Sequence, residues 1–341
     1  MKRKSLKILN WILNKMPIKV LQQLMVLIIK QLNLKGEYFV TYQERPKKAN
    51  AVSFDPLDLK YEDIAIVLQG PIITEEDFTL ETAKIYQNEF PGVSIIISTW
   101  NDLSTVLAEK FQKEGIVLVL SKKPEWNGIS NINLQLVSTI NGLRKAEHLS
   151  KTYVVKTRTD QRIYNPFFLS SLKLLDKYPI EFENLSLEKR IIVSSMSTLK
   201  YRPYGVTDML MIGKTTDLIK YWNIRQDDRN LTIPGGLTVK EYALQTTAET
   251  YILTKFLENQ GIPIYFSLKQ TWEAYTKIFI VLDKSSFNVY WFKYSIEKEN
   301  RLNYYEEHVY SELSFFNWLA LNEIKNVPEK MLNKKMESYN P

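Results

Sequence analysis

Asp63-Ile64-Ala65-Ile66-Val67-Leu68-Gln69, closed by Gly70-Pro71, is the stretch that decides the fold. Its apolar residues run without alternation, so both faces of the segment need cover. A run of this length ending in a Gly-Pro turn reads as a strand buried in a parallel sheet. The pattern then repeats. A helix is predicted over about Phe78–Glu89 and a strand over Val93–Ser98 that ends in Thr99-Trp100. A helix over Asp102–Glu114, a strand over Ile116–Leu120 and a long helix over Asn131–Glu147 follow. A fourth strand, Tyr153–Lys156, runs into Thr157-Arg158-Thr159-Asp160. This alternation predicts an α/β domain with a mostly parallel sheet and helices on both faces. Further strands are predicted at Arg190–Ser194 and Met209–Ile212, and helical patterns near Thr216–Asn223 and Glu241–Glu258. No internal repeat is visible, and the chain from Tyr275 onward is rich in aromatic residues.

Upstream, residues 1–35 place Leu6, Leu9, Ile12, Leu13, Val20, Leu21, Leu24, Leu27 and Ile28 at spacings of three and four, with lysines between them. Two amphipathic helices separated at Pro17 are predicted. The apolar run Leu24–Ile29 is too short to span a bilayer, and no small-residue cleavage site follows it. The first acidic residue is Glu37, and eight basic residues precede it. Removing those eight from the 45 basic residues leaves 37 against 38 acidic ones, so the formal charge of +7 resides in this segment. A basic amphipathic segment of this kind fits an anionic membrane surface, attached peripherally from the cytoplasmic side; an ordinary helix packed on its own domain is the plain alternative. The near-neutral remainder argues against nucleic acid as a partner. Polar, proline-containing stretches at Arg45–Lys48 and Asp55–Asp58 read as a linker. The expected organisation is therefore a membrane-surface segment at 1–40, a linker at 41–62, an α/β domain at 63–275, and an aromatic-rich extension packing on it at 276–341.

The chain has no cysteine and only two histidines, His148 and His308. Disulfides, thiol nucleophiles, zinc–cysteine sites and the HExxH motif are thereby excluded. Gly213-Lys214-Thr215 imitates the end of a P-loop, but position 208, where the earlier glycine belongs, is Asp. Neither GxGxxG nor GxSxG occurs.

In an open parallel sheet, ligands bind beyond the carboxyl ends of the strands. Gln69-Gly70-Pro71, Ser98-Thr99-Trp100 and Lys156–Asp160 occupy such ends, and Asp208 lies near the start of a later strand. Strand alternation sends Lys156, Arg158 and Asp160 to one side. Two cations beside one carboxylate suit a diphosphate, with Mg²⁺ or Mn²⁺ as a bridging ion. A structural Arg158–Asp160 salt bridge is the plain alternative.

Four stretches carry a resemblance: Val67–Ile72, Phe90-Pro91 with Ile95–Trp100, Asn131–Gln135 with Ser138-Thr139, and Lys156–Asp160. In order and spacing they resemble the WavE family of lipopolysaccharide-synthesis proteins, over roughly residues 62–260. The resemblance implies a GT-A-like, nucleotide-binding catalytic domain of a bacterial glycosyltransferase. It would move sugar from a nucleoside-diphosphate sugar to lipopolysaccharide, capsule or another surface glycan, free or lipid-linked. The usual Asp-x-Asp motif of such domains is replaced here by Arg158-Thr159-Asp160, which leaves one carboxylate and puts dependence on Mn²⁺ or Mg²⁺ in question. By this carry-over Asp160 acts on the metal or diphosphate, with Lys156 and Arg158 sharing the diphosphate charge. Gln69, Gly70 and Pro71 border the base and ribose, and Ser98, Thr99 and Trp100 line the same pocket. Asn131, Asn133 and Gln135 meet the donor at a helix N-terminus, unless Asn131 is a simple cap. Glu249, in the first turn of Ala248–Asn259, is the first candidate for the catalytic base, and Asp208 is the second. Two rival readings keep the fold: a nucleotidyl- or phosphosugar transferase, and a non-catalytic membrane-associated assembly protein.

Overall fold

The computed structural model describes residues 2–36, 39–52, 60–182, 185–231, 233–294 and 311–336. Asp55–Asp58 and His308 lie outside them. The chain divides into two compact units, Met1–Pro46 and Lys47–Pro341. The first holds α1 (Lys2–Leu13) and α2 (Ile18–Lys35), and Pro17 caps α2, where its missing N–H costs no helical bond. Ile8, Trp11, Leu27 and Ile28 are each more than half exposed. No helix among the described residues is long and apolar enough to cross a membrane.

In the second unit the chain order is β1 (Ile64–Gln69), α3 (Phe78–Glu89), β2 (Ser94–Trp100), α4 (Thr105–Lys113), β3 (Val117–Ser121), α5 (Ile132–His148), β4 (Tyr153–Arg158) and β5 (Gln161–Ile163). There follow α6 (Leu174–Lys177), β6 (Ile191–Ser194), β7 (Met211–Lys214), α7 (Thr215–Trp222), α8 (Val239–Thr246), α9 (Ala248–Asn259), α10 (Leu268–Ile278), β8 (Phe279–Leu282), α11 (Lys284–Phe287), β9 (Val289–Trp291) and α12 (Phe315–Ala320). Seven strands form one sheet in the order β3-β2-β1-β4-β7-β6-β8, and only β7 runs against the rest. This is the α/β class that the sequence predicts. Every residue of β1 is buried, as its unalternating composition requires. Right-handed crossovers place α3 and α4 on one face, and α5, returning from β3 to β4, on the other. Gly142 lets α5 lie close: a Cβ there would come within 2.5 Å of Val67 Cγ1.

Two boundaries differ from the sequence reading. The helical pattern Glu241–Glu258 is interrupted at Thr247, whose backbone is extended, and Glu249 sits in the first turn of α9 as expected. β8 lies beyond residue 275 yet pairs with β6, and β9 pairs with β5 in a separate two-stranded ribbon. The aromatic C-terminal stretch thus supplies strands and not only packing.

Candidate active site

The carboxyl ends of β1, β2 and β4 lie side by side, with Gln69 opposite both Ser98 and Arg158. Gly70, at φ +119°, turns the chain out of β1 and donates its N–H to the Ser98 carbonyl at 3.0 Å. Thr159 ties the turn to β4: its N–H reaches the Gln69 carbonyl at 3.1 Å and its hydroxyl the Pro71 carbonyl at 2.6 Å. A Cβ on Gly70 would stand 3.1 Å from that hydroxyl, so the turn has no room for one. The Gln69 and Ser98 side chains face α5. Gln69 Oε1 accepts from the Ser138 hydroxyl at 2.8 Å, and the Ser98 hydroxyl donates to the Ser138 carbonyl at 2.6 Å. They hold the edge together, and Thr99 and Trp100 beside them are buried.

Past β4 the chain leaves the sheet, and Asp160 sits in the turn to β5. Arg158 donates to both of its carboxylate oxygens, from Nε at 2.8 Å and from an Nη at 2.9 Å. Trp291 of β9 adds an indole N–H at 3.0 Å, and its ring lies 5.7 Å from the guanidinium carbon. Burial opposes ionisation of Asp160, but the Arg158 bonds and charge, with the Trp291 bond, hold its carboxyl below the ordinary range. Arg158 keeps about a quarter of its side chain exposed, whereas Asp160 is buried.

A second charged group lies behind this pair. Lys156 is fully buried, donates to the backbone carbonyl of Asp208, and stands 4.7 Å from the centre of the Trp222 ring. Burial lowers its pKa to about 7, with Asp208 opposing and Arg158 adding to the fall. The expectation that it shares the diphosphate charge is therefore replaced by a structural one: it fixes the Asp208 backbone from beneath. The Asp208 carboxylate is buried and accepts no hydrogen bond from a described residue. Glu249 pairs with Arg202 at 3.1 Å. Burial raises the Glu249 pKa, Arg202 pulls it down, and the Asp208 charge pushes it up again, leaving it above the ordinary value. The Tyr221 hydroxyl, buried with no hydrogen-bond partner among the described residues, feels the charges of both Asp208 and Glu249.

The helix N-terminus behaves differently from its expectation. Asn131 precedes α5 in the left-handed region and makes no side-chain cap bond. Asn133 is committed to the fold: its amide donates to the Trp126 and Asp227 carbonyls at 3.0 and 2.8 Å and accepts from the Asp227 N–H at 2.6 Å. Gln135, one turn before Ser138, has a buried Oε1 without a partner among the described residues.

Sequence reasoning missed Arg202, Tyr221, Trp222 and Trp291. Trp291 had one visible signal, the run Val289-Tyr-Trp-Phe292 after Asn288, which has the composition of a strand following a turn. Arg202 in a loop, and Tyr221 and Trp222 together in α7, carry no local signature of a site.

A mostly parallel α/β domain with a charged site at the carboxyl edge of its sheet is the class that fold and geometry define. The chain belongs to the WavE family: that family's model, described as lipopolysaccharide synthesis, matches residues 64–340. No curated protein matches it significantly in sequence. Among solved structures it is similar to a glucosyl-3-phosphoglycerate synthase from Mycobacterium tuberculosis, in complex with Mn²⁺, uridine diphosphate and glucosyl-3-phosphoglycerate. Identity is 11%, the TM-score is 0.32, and the match covers 64% of this chain and 69% of that one. A mannose-1-phosphate geranyltransferase from Thermus thermophilus is similar at 9% identity and TM-score 0.32, over 64% of this chain and 73% of that one. Overlaps this loose carry no functional argument.

The divalent cation implied by the sequence resemblance can be tested against the donor set. Each Asp160 oxygen already accepts a charge-assisted bond, and Trp291 adds a third. Among the described residues no three acidic, histidine or cysteine side chains gather in a way that could hold a metal ion. The residues around Asp160 do not fit a bridging Mn²⁺ or Mg²⁺.

Proposed function

We propose that the protein is a glycosyltransferase that moves a sugar from a nucleoside-diphosphate sugar to lipopolysaccharide or another cell-surface glycan. The observation that carries this reading is the charged group Arg158, Asp160, Asp208, Glu249 and Arg202 at the carboxyl edge of the sheet, in a chain of the WavE family. The strand ends Gln69–Pro71 and Ser98–Trp100 border the base and ribose. Arg158, oriented by Asp160, faces the diphosphate. For transfer with inversion, a carboxylate takes the proton of the attacking acceptor hydroxyl as the bond from the anomeric carbon to the diphosphate oxygen breaks. Glu249 is the base, and Asp208 beside it keeps its proton affinity high. Incubating the protein with a panel of nucleotide sugars and a surface-glycan acceptor should release a nucleoside diphosphate. Release of a nucleoside monophosphate or pyrophosphate would make it a phosphosugar or nucleotidyl transferase. Donor binding with no release would leave the assembly-protein reading.

The Met1–Pro46 unit is proposed to lie on anionic membrane from the cytoplasmic side, where lipid-linked acceptors are found. Its support is that every charged residue up to Lys35 is basic, together with the exposed apolar side chains of α1 and α2. Each basic residue near such a surface contributes about 1 kcal/mol. The full-length protein should therefore sediment with phosphatidylglycerol-containing vesicles at low salt and come off at high salt. Failure to sediment at low salt refutes the membrane role.

A further inference from the structure

We propose that the donor diphosphate is contacted by the Arg158 guanidinium, held in place by Asp160 and Trp291, and not by a divalent cation carried on Asp160. The inference rests on the reading of the site as one for a nucleoside-diphosphate sugar. It goes beyond that reading by putting the oriented guanidinium in the place of a bridging metal ion.

A carboxylate recruits Mg²⁺ or Mn²⁺ by offering open oxygen lone pairs and uncompensated negative charge. Asp160 offers little of either. Both of its oxygens accept from Arg158, in the fork geometry that makes such pairs strong, and one also accepts from the Trp291 indole. A cation brought to Asp160 would sit against the positive guanidinium it must displace. The two-residue spacing produces this arrangement. Arg158 is the last residue of β4 and Asp160 lies in the turn that follows, so the guanidinium closes back over the carboxylate. Arg158 replaces the first carboxylate of the usual Asp-x-Asp, which turns a site of two negative charges into an ion pair. Trp291 fixes the pair from a different part of the chain and contacts both members. The β5–β9 ribbon pins it there, with Gln161 opposite Trp291 and the Phe292 N–H bonded to the Asp160 carbonyl at 2.9 Å. Arg158 Nε and one Nη are taken by Asp160, so this planar, always charged guanidinium meets the diphosphate from a fixed orientation and not through a second fork. Asp160 and Trp291 are positioning residues in this scheme, and Arg158 is the group that meets the ligand.

The test uses the full-length protein, stripped with EDTA, and isothermal titration with uridine, guanosine, cytidine, adenosine and thymidine diphosphates. The expected result is binding of at least one of them in EDTA, with an affinity that changes less than threefold when 1 mM Mn²⁺ or Mg²⁺ replaces the chelator. Arg158→Gln should weaken that binding at least tenfold in either buffer, and Arg158→Lys, which keeps charge but loses the fork, should fall between. Far-UV circular dichroism and the thermal midpoint establish that the variants are folded, and Arg158→Lys serves alone if Arg158→Gln is not. Binding that needs Mn²⁺ or Mg²⁺, or that weakens more than tenfold in EDTA, overturns the inference while leaving the donor reading standing. So does wild-type affinity in both Arg158 variants. If no nucleoside diphosphate binds in either buffer, the donor reading fails, and this inference fails with it.

Discussion

Two carboxylates at this site each face an arginine, yet their ionisation is pushed in opposite directions. Asp160 accepts both arms of Arg158 and the Trp291 indole, and its pKa is lowered in spite of burial. Glu249 accepts one bond from Arg202, whose guanidinium also serves the Ser197 and Gly205 carbonyls, and a second acid, Asp208, stands nearby. Its pKa is raised. The nearby charge is similar in the two places. What differs is how many hydrogen bonds the charged form receives and the sign of the next neighbour. On the function proposed above, one pair stays charged and holds a partner in place, and the other exchanges a proton.

Asp160→Asn should break the first arm of that contrast most severely. Without the ion pair Arg158 loses its orienting partner, and transfer should fall about 100- to 1,000-fold, or roughly 3–4 kcal/mol in the transition state. Steady-state rates with circular dichroism as a fold check decide it. Near-normal activity would reduce Asp160 to a structural salt bridge.

Glu249→Gln tests the second arm, with an expected loss of about 10²- to 10⁴-fold in kcat, the usual range for a general base. Asp208→Asn should act more mildly but leave a clearer mark. A base must be ionised to work, so activity rises with pH through the Glu249 pKa, which burial and Asp208 have raised. Neutralising Asp208 removes the like charge, and the acidic limb of the kcat/KM profile should move to lower pH. A limb that stays put in Asp208→Asn, or one that survives in Glu249→Gln, assigns the base elsewhere.

How much of this was legible from sequence follows from what each residue depends on. The strands β1 to β4 and the convergence of their ends were legible, because unalternating apolar runs and Gly-Pro punctuation are local signals. The Arg158–Asp160 pairing was legible as a spacing. The burial of Lys156 was not, since its fate depends on Asp208 and Trp222, which lie 52 and 66 positions along the chain. Asn133 looked like a ligand-binding amide because the Asp227 backbone that satisfies it is distant in sequence. Trp291 reaches Asp160 only through the β5–β9 ribbon, a pairing across more than 120 residues that no local pattern announces.

A third carboxylate extends the comparison to its limit. Glu89, at the end of α3, faces Arg162, but that guanidinium donates instead to Thr82, Tyr164 and the Lys47 and Phe78 carbonyls. Both Glu89 oxygens are buried without a hydrogen-bond partner among the described residues. Burial carries its pKa up to about 8, with Arg162 opposing only through its charge. Below the ordinary value of 4.5 both folded and unfolded chains hold this proton, and Glu89 imposes no penalty. Between there and about 8 the unfolded chain has released the proton while the folded chain keeps it, so stability declines as pH rises. Above that both forms are ionised and the penalty is constant. Glu89→Gln should therefore match the wild type near pH 4.5 and be more stable by several kcal/mol at pH 9, because each tenfold difference in proton affinity between the folded and unfolded chains is worth about 1.4 kcal/mol. Urea unfolding across that pH range measures the gap. Curves that run parallel at every pH would mean that Glu89 finds a partner when it ionises, and that hydrogen-bond count does not set the order among the three acids.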